Sequence, residues 1–235
     1  MFQTDPFSLI ILFVALSLLP FVAMVATSYL KIVVVMSLIR NALGIQSIPP
    51  NMVINALAMI LTFYIMAPTA SESWAAVKES MDARAAAKAA AGQTASTPAR
   101  EYAVLGFDVP DLSKAAEPFR KFLADHTSDR ERLFFVRTAE HLWGKDGEPA
   151  KIDSESFFIL LPAFCVSELT KAFQIGFLVY LPFIAIDIIV SNILLAMGMM
   201  MVSPVTISLP FKLLLFVMVD GWTLLIQGLV RGYVL

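Results

Sequence analysis

Cysteine is almost missing from this sequence: Cys165 stands alone, so no internal disulfide can form. Histidine is nearly as scarce. His126 and His141 lie 15 residues apart, with no cysteine nearby and without the H-E-x-x-H spacing of a zinc site, and they read as solvated or structural side chains. No G-x-S-x-G, phosphate-binding loop or glycine-rich dinucleotide turn occurs, which removes the usual parts of nucleophilic hydrolysis and nucleotide-driven transport. No catalytic, cofactor-binding or metal-binding residue is assigned, no cofactor is expected, and the chain does not read as an enzyme. Charge is also short. Only 15% of residues are charged, the net charge is −2 and no basic block is present, so there is no electrostatic footprint for nucleic acid.

What is abundant is apolar surface: 58% of 235 residues are hydrophobic, a membrane-protein composition. The polar residues are concentrated. Residues 71–156 hold 12 of the 17 Lys+Arg and 15 of the 19 Asp+Glu, leaving nine charges for the rest. Hydropathy gives four blocks, at 7–26 extending past Lys31 to 39, 52–70, 157–202 and 205–230. The first run is about 20 residues, longer than a signal peptide's core, and is preceded by Asp5 instead of a cation, so it is expected to be retained. The third is long enough for a span plus extra, with Pro162 and Pro182 as expected break points in a kinked helix.

The expected fold is all-α: membrane-associated helical hairpins with long kinked helices. Residues 1–70 form an N-terminal hydrophobic hairpin that turns through Gly44 and Ile48-Pro49-Pro50-Asn51. Residues 71–111 are an Ala-rich linker or insert, of which 83–97 suits a frayed helix or flexible tether. Residues 112–156 carry two amphipathic helices, the second opening on the capping-box pattern Ser128-Asp129-Arg130-Glu131. Residues 157–235 form a C-terminal hydrophobic hairpin around a Met-rich loop. Positive-inside counting of Lys31 and Arg40 would put the first turn in the cytoplasm and 71–156 outside.

Six ionisable residues lie inside apolar blocks: Lys31, Glu168, Lys171, Asp187, Lys212 and Asp220. Each costs at least ~2.5 kcal/mol at a bilayer centre, so together they form a candidate buried charge network facing protein, water or a partner. Glu168 and Lys171, three apart, can satisfy each other on one helix face. Lys212 and Asp220 are ~12 Å apart along a helix and need other partners. If the chain reverses near 202–204, Asp187 and Asp220 share a level, ~22 and ~24 Å from the turn. Such a pair requires a cation from Lys31, Lys171 or another subunit, or one protonated carboxylate. A subunit-joining network, a proton relay and an aspartyl protease pair are the readings it leaves.

Four of the 12 methionines sit between 197 and 201, around Gly198. Such a cluster is either ordinary gap-filling and lipid-facing side chains at a helix end, or a soft surface that re-forms around objects of different shape.

Taken together, Leu38-Ile39-Arg40-Asn41-Ala42-Leu43-Gly44, Pro49-Pro50-Asn51, Leu161-Pro162-Ala163-Phe164, Ser167-Glu168-Leu169, Ala172-Phe173-Gln174-Ile175-Gly176-Phe177 and the stretch 197–222 resemble the FliP/SctR family of type III secretion export-gate proteins. The resemblance covers residues 7–70 and 112–235, while the Ala-rich stretch has no counterpart. Ser191-Asn192-Ile193-Leu194 and Val202-Ser203-Pro204 look more like the injectisome branch, SctR, than the flagellar paralogue. The resemblance implies a bacterial inner-membrane protein, multi-pass by hydropathy, with much of the assembled complex on the periplasmic side. It also implies a homo-pentameric helical ring with SctS-type and SctT-type subunits, next to SctU-type and SctV-type components, that passes secreted unfolded polypeptides. It further assigns Met199, Met200 and Met201 to a methionine gasket at the pore.

The physics suits that role. A channel that passes varied side chains yet holds back ions needs a closure that deforms, which stiff β-branched residues cannot supply. An apolar constriction also gates by losing its water. The competing class is an ion-coupled carrier using Asp187 and Asp220, which inverted repeats would favour; the two hairpin turns show no such correspondence.

Overall fold

The computed structural model describes residues 6–45, 48–90, 109–144 and 152–234, and every regular element among them is helical. In chain order these are α1 (Pro6–Val25), α2 (Tyr29–Ala42), α3 (Asn51–Ala90), α4 (Val109–His126), α5 (Asp129–Trp143), α6 (Phe157–Ala196), α7 (Pro204–Met218) and α8 (Gly221–Arg231). The chain forms two compact units, one of residues 1–26 and 66–164, the other of 27–65 and 165–235.

The first hydropathy block is two helices. Thr27 accounts for the break: its hydroxyl oxygen accepts the Tyr29 amide at 3.4 Å, a local bond that competes with the helical ladder. In the second unit α2 is the centre. Ile32, Val35, Met36 and Ile39, at helical spacing, are at most 1% exposed and pack with Ala58 of α3, Phe183 of α6, Phe216 of α7 and Leu229 of α8. This stretch faces protein, not lipid. At its end Gly44 adopts φ +76, the left-handed turn expected there. Arg40 then staples the hairpin by donating to the Asn51 side-chain oxygen at the start of α3.

Two boundaries differ from the sequence reading. α3 does not stop at 70 but continues to Ala90, because alanine, lysine, arginine and glutamate sustain a helix without any apolar stripe; residues 91–97 of the Ala-rich stretch lie outside the described residues. α6 runs unbroken for 40 residues through Pro162 and Pro182, where breaks were expected. A proline deletes one ladder bond and disturbs one turn, and the strong helix formers and apolar side chains on both sides carry the helix across.

In the first unit α4 and α5 are the two expected amphipathic helices, joined at Thr127 and Ser128. Ser128 precedes α5 as its N-cap without a side-chain cap bond, so the capping box is not closed. Phe122, Leu123, Ala139, Ile159, Leu160 and Phe164 form the buried core of this unit.

α3 (residues 51–83) and α6 are long and apolar enough to cross a membrane, and the number rises to four if α1 with α2 and α7 with α8 are each counted as one span.

Candidate functional site

The end of α6 is built to release a loop. The Gly198 amide donates to the Leu195 carbonyl at 3.0 Å and the Met199 amide to Leu194 at 2.9 Å, with Gly198 at φ +73. These two bonds satisfy carbonyls that a helix end leaves open, and only glycine enters that conformation without strain. The chain then turns through Met199, Met200 and Met201 and restarts at Pro204, an N-terminal helical position where a missing amide hydrogen costs nothing. Met199, Met200 and Met201 are 41%, 82% and 100% exposed. They do not fill the core; exposure on this scale fits lipid-facing side chains at a helix end as well as a soft surface.

The six interior charges divide into two clusters and one outlier. Glu168, fully buried, receives Lys31 at 3.1 Å on one oxygen and Lys171 at 3.2 Å on the other. Tyr233, beyond α8, donates its hydroxyl to the same carboxylate and lays its ring 3.5 Å from the Lys31 ammonium. Burial, then the Glu168 charge, pushes the Tyr233 phenol up, so it stays a donor. One carboxylate thus ties α2, α6 and the segment after α8 together.

Asp187 forms the second cluster. Lys212 lies 2.6 Å from one of its oxygens and the Ser208 hydroxyl donates to the other at 2.5 Å. Lys212 also donates to the Ala42 carbonyl at 3.2 Å, a cation at the C-terminus of α2 where the helix dipole favours it. The cation beside Asp187 is therefore Lys212, where the spacing pointed to Lys31, Lys171, another subunit or a protonated carboxylate. Residues 197–203 are not helical, so helical rise does not run through them. Measured from the helix ends, Asp187 stands ~13 Å before Ala196 and Lys212 ~12 Å after Pro204, so these two share a level.

Asp220 belongs to neither cluster. It is exposed at φ 50, the second of the two residues between α7 and α8, and makes no side-chain cap bond. The two helices bend by 59° there. The following residue, Gly221, is buried against Phe216, whose ring atoms would lie 2.3 Å from an added Cβ. Asp220 and Gly221 are thus explained by backbone shape and close approach. Asp187 is engaged by Lys212 and Ser208, while Asp220 sits exposed at the bend between α7 and α8.

Tyr233 and Ser208 were not singled out by sequence. Both are polar donors in apolar surroundings, and the signal available was a shortage: Glu168 and Asp187 each have more acceptor positions than one lysine can fill. His126 places Nδ1 2.8 Å from the Phe122 carbonyl, a structural contact, and His141 lies exposed on α5.

Fold and site define a helical membrane protein in which five of the six charges inside apolar blocks pair within one helical unit and three consecutive methionines stand exposed in the loop after α6. The chain belongs to the FliP family, whose pattern matches residues 12–229. It is similar to Yop proteins translocation protein R of Yersinia pestis, 50% identical over 231 residues that cover 97% of each chain. The hypersensitivity response secretion protein HrcR of Ralstonia nicotianae is 46% identical over 226 residues, 96% of each chain. The flagellar biosynthetic protein FliP of Bacillus subtilis is 38% identical over 225 residues, 96% of this chain and 90% of that protein.

Proposed function

We propose that this chain is a core subunit of a type III protein-secretion export gate in the bacterial inner membrane, with Met199, Met200 and Met201 of several copies converging on an axis to form a deformable seal. Likeness to proteins named for translocation and secretion supports the gate role, and identities of 50% and 46% to the Yersinia and Ralstonia proteins, against 38% to the flagellar one, favour the injectisome branch. The observation that carries the gasket is local: three consecutive methionines held out from the protein by the cap at Gly198. An apolar side chain left exposed on this scale needs a partner, and identical loops from neighbouring copies are chemically matched ones.

In this reading the subunit assembles as a pentamer with SctS-type and SctT-type subunits and, near SctU-type and SctV-type components, passes unfolded polypeptide. Much of the assembly stands on the periplasmic side. The two charge clusters act structurally. They fix α2, α6 and α7 so that the loop stays mobile while its base does not move, and the driving force for export comes from other components. The carrier alternative loses support because Asp187 is already held by Lys212 and Ser208.

Replacing Met199, Met200 and Met201 together by alanine tests the gasket. Assembly should stay near normal, because no joint between helices is touched, while ion leak through the reconstituted complex rises. Unchanged conductance in a fully assembled variant would falsify the seal.

A further inference from the structure

The unit of residues 1–26 and 66–164 presents two surfaces that the gate reading leaves unused. The first is on α5. At ~100° per residue, Arg130, Leu133, Phe134, Arg137 and His141 fall on one face, opposite the buried Ala139. Leu133 and Phe134 are 54% and 58% exposed, and the three basic residues are exposed with them. Among the described residues, neither Arg130 nor Arg137 forms an ion pair; the neighbouring Asp129 is taken by Arg132 on another side of the helix. A cationic stripe with apolar flanks is left facing outward.

The second surface is a groove of about 1010 Å³ between α3, α4 and the segment that leads into α6. Glu79, Glu117, Asp153 and Glu155 line it against Lys114 and Arg120, so four carboxylates and two cations leave a formal charge of −2. Arg120 is already engaged by Glu117 at 2.6 Å, which leaves the rim acidic. Phe158 supplies an exposed apolar wall.

We infer that the α5 stripe of one copy docks into the acidic groove of the next copy. The two arginines match the groove's excess negative charge, Leu133 and Phe134 meet an apolar wall, and the two surfaces share no residue, so one copy can use both at once. Contact between unlike patches is heterologous: it propagates from copy to copy and closes into a ring where the rotation allows. An anionic bilayer would match the stripe alone and would leave the acidic groove unexplained. The inference rests on the ring proposed above and adds the surfaces that join its members.

The test uses the full chain co-expressed with its gate partners as two differently tagged copies, purified in detergent. Arg130→Glu with Arg137→Glu in every copy should lower recovery of one tag through the other by roughly tenfold. Glu79→Lys with Asp153→Lys should do the same. All four substitutions in every copy reverse both surfaces and should restore recovery, which misfolded doubles could not explain. In a Cys165→Ser background, Arg137→Cys with Asp153→Cys should give a ladder of cross-linked copies on oxidation. Wild-type recovery in either double variant, no rescue in the quadruple, or monomer alone after oxidation overturns the interface. So does α5 reversal that abolishes binding to phosphatidylglycerol vesicles while leaving recovery intact. If unsubstituted copies fail to recover each other, the ring itself fails; if they succeed and the reversals change nothing, only this interface does.

Discussion

Asp220 is where charge and backbone give opposite expectations for the same side chain. A carboxylate in an apolar segment suggests an ionic role, but φ 50 suggests a residue chosen for its tolerance of the left-handed region, which aspartate and asparagine share with glycine. Asp220→Asn and Asp220→Gly should therefore melt within about 0.5 kcal/mol of the parent in detergent, whereas Asp220→Ala should lose roughly 1 kcal/mol from strain. Equal losses for all three would restore the ionic reading. Glu168 is the contrary case, because its three partners leave it no route to water. Lys31→Met leaves the buried carboxylate with Lys171 and Tyr233 alone and should cost about 1.5–3 kcal/mol of detergent stability, while Lys31→Met with Glu168→Met should cost less than the single change. An additive double variant would mean that the pair contributes nothing as a pair.

Helices are legible where the apolar period is clear. α4 and α5 lie where the apolar spacing put them, and the turn at Gly44 follows from its left-handed backbone. Hydropathy failed at ends that depend on other physics. It closed α3 at 70 because polarity rises there, although helix propensity does not fall, and it ran α1 into α2 because Thr27 is apolar enough to hide its hydroxyl. The charge clusters were half legible: Glu168 with Lys171 follows from a local interval, but Asp187 with Lys212 depends on the length of a non-helical loop that no periodicity reports. Close packing between elements was silent in the same way. Gly176 of α6 has Leu38 of α2 so near that an added Cβ would lie 2.3 Å from its Cδ1 and 3.3 Å from its Cβ. Gly176→Ala should consequently cost about 1–3 kcal/mol by overpacking, measured as a lowered melting temperature. A neutral result would mean that α2 and α6 can slide apart.

At the scale of the molecule, length and exposure set the problem that assembly has to solve. α3 and α6 are each ~60 Å long, about twice the hydrocarbon thickness of a bilayer, so neither is matched to lipid along its whole course. Large side chains such as Phe63, Phe173 and Phe177 nonetheless face outward. Where lipid does not cover them, other subunits must, and in the proposed gate the same necessity would draw the methionine loops toward one another. Chemistry then separates sealing from yielding. Methionine and leucine have nearly equal volume, but leucine branches and loses the pliant thioether. With Met199, Met200 and Met201 all changed to leucine, the assembled gate should keep its ion barrier, since the apolar volume is conserved, yet export substrate more slowly. The alanine series should do the reverse and leak at rest. Conductance and secretion measured on the same assemblies decide it: if both series alter secretion alike and neither alters leak, the loop is a point of subunit contact and not the closure of the channel.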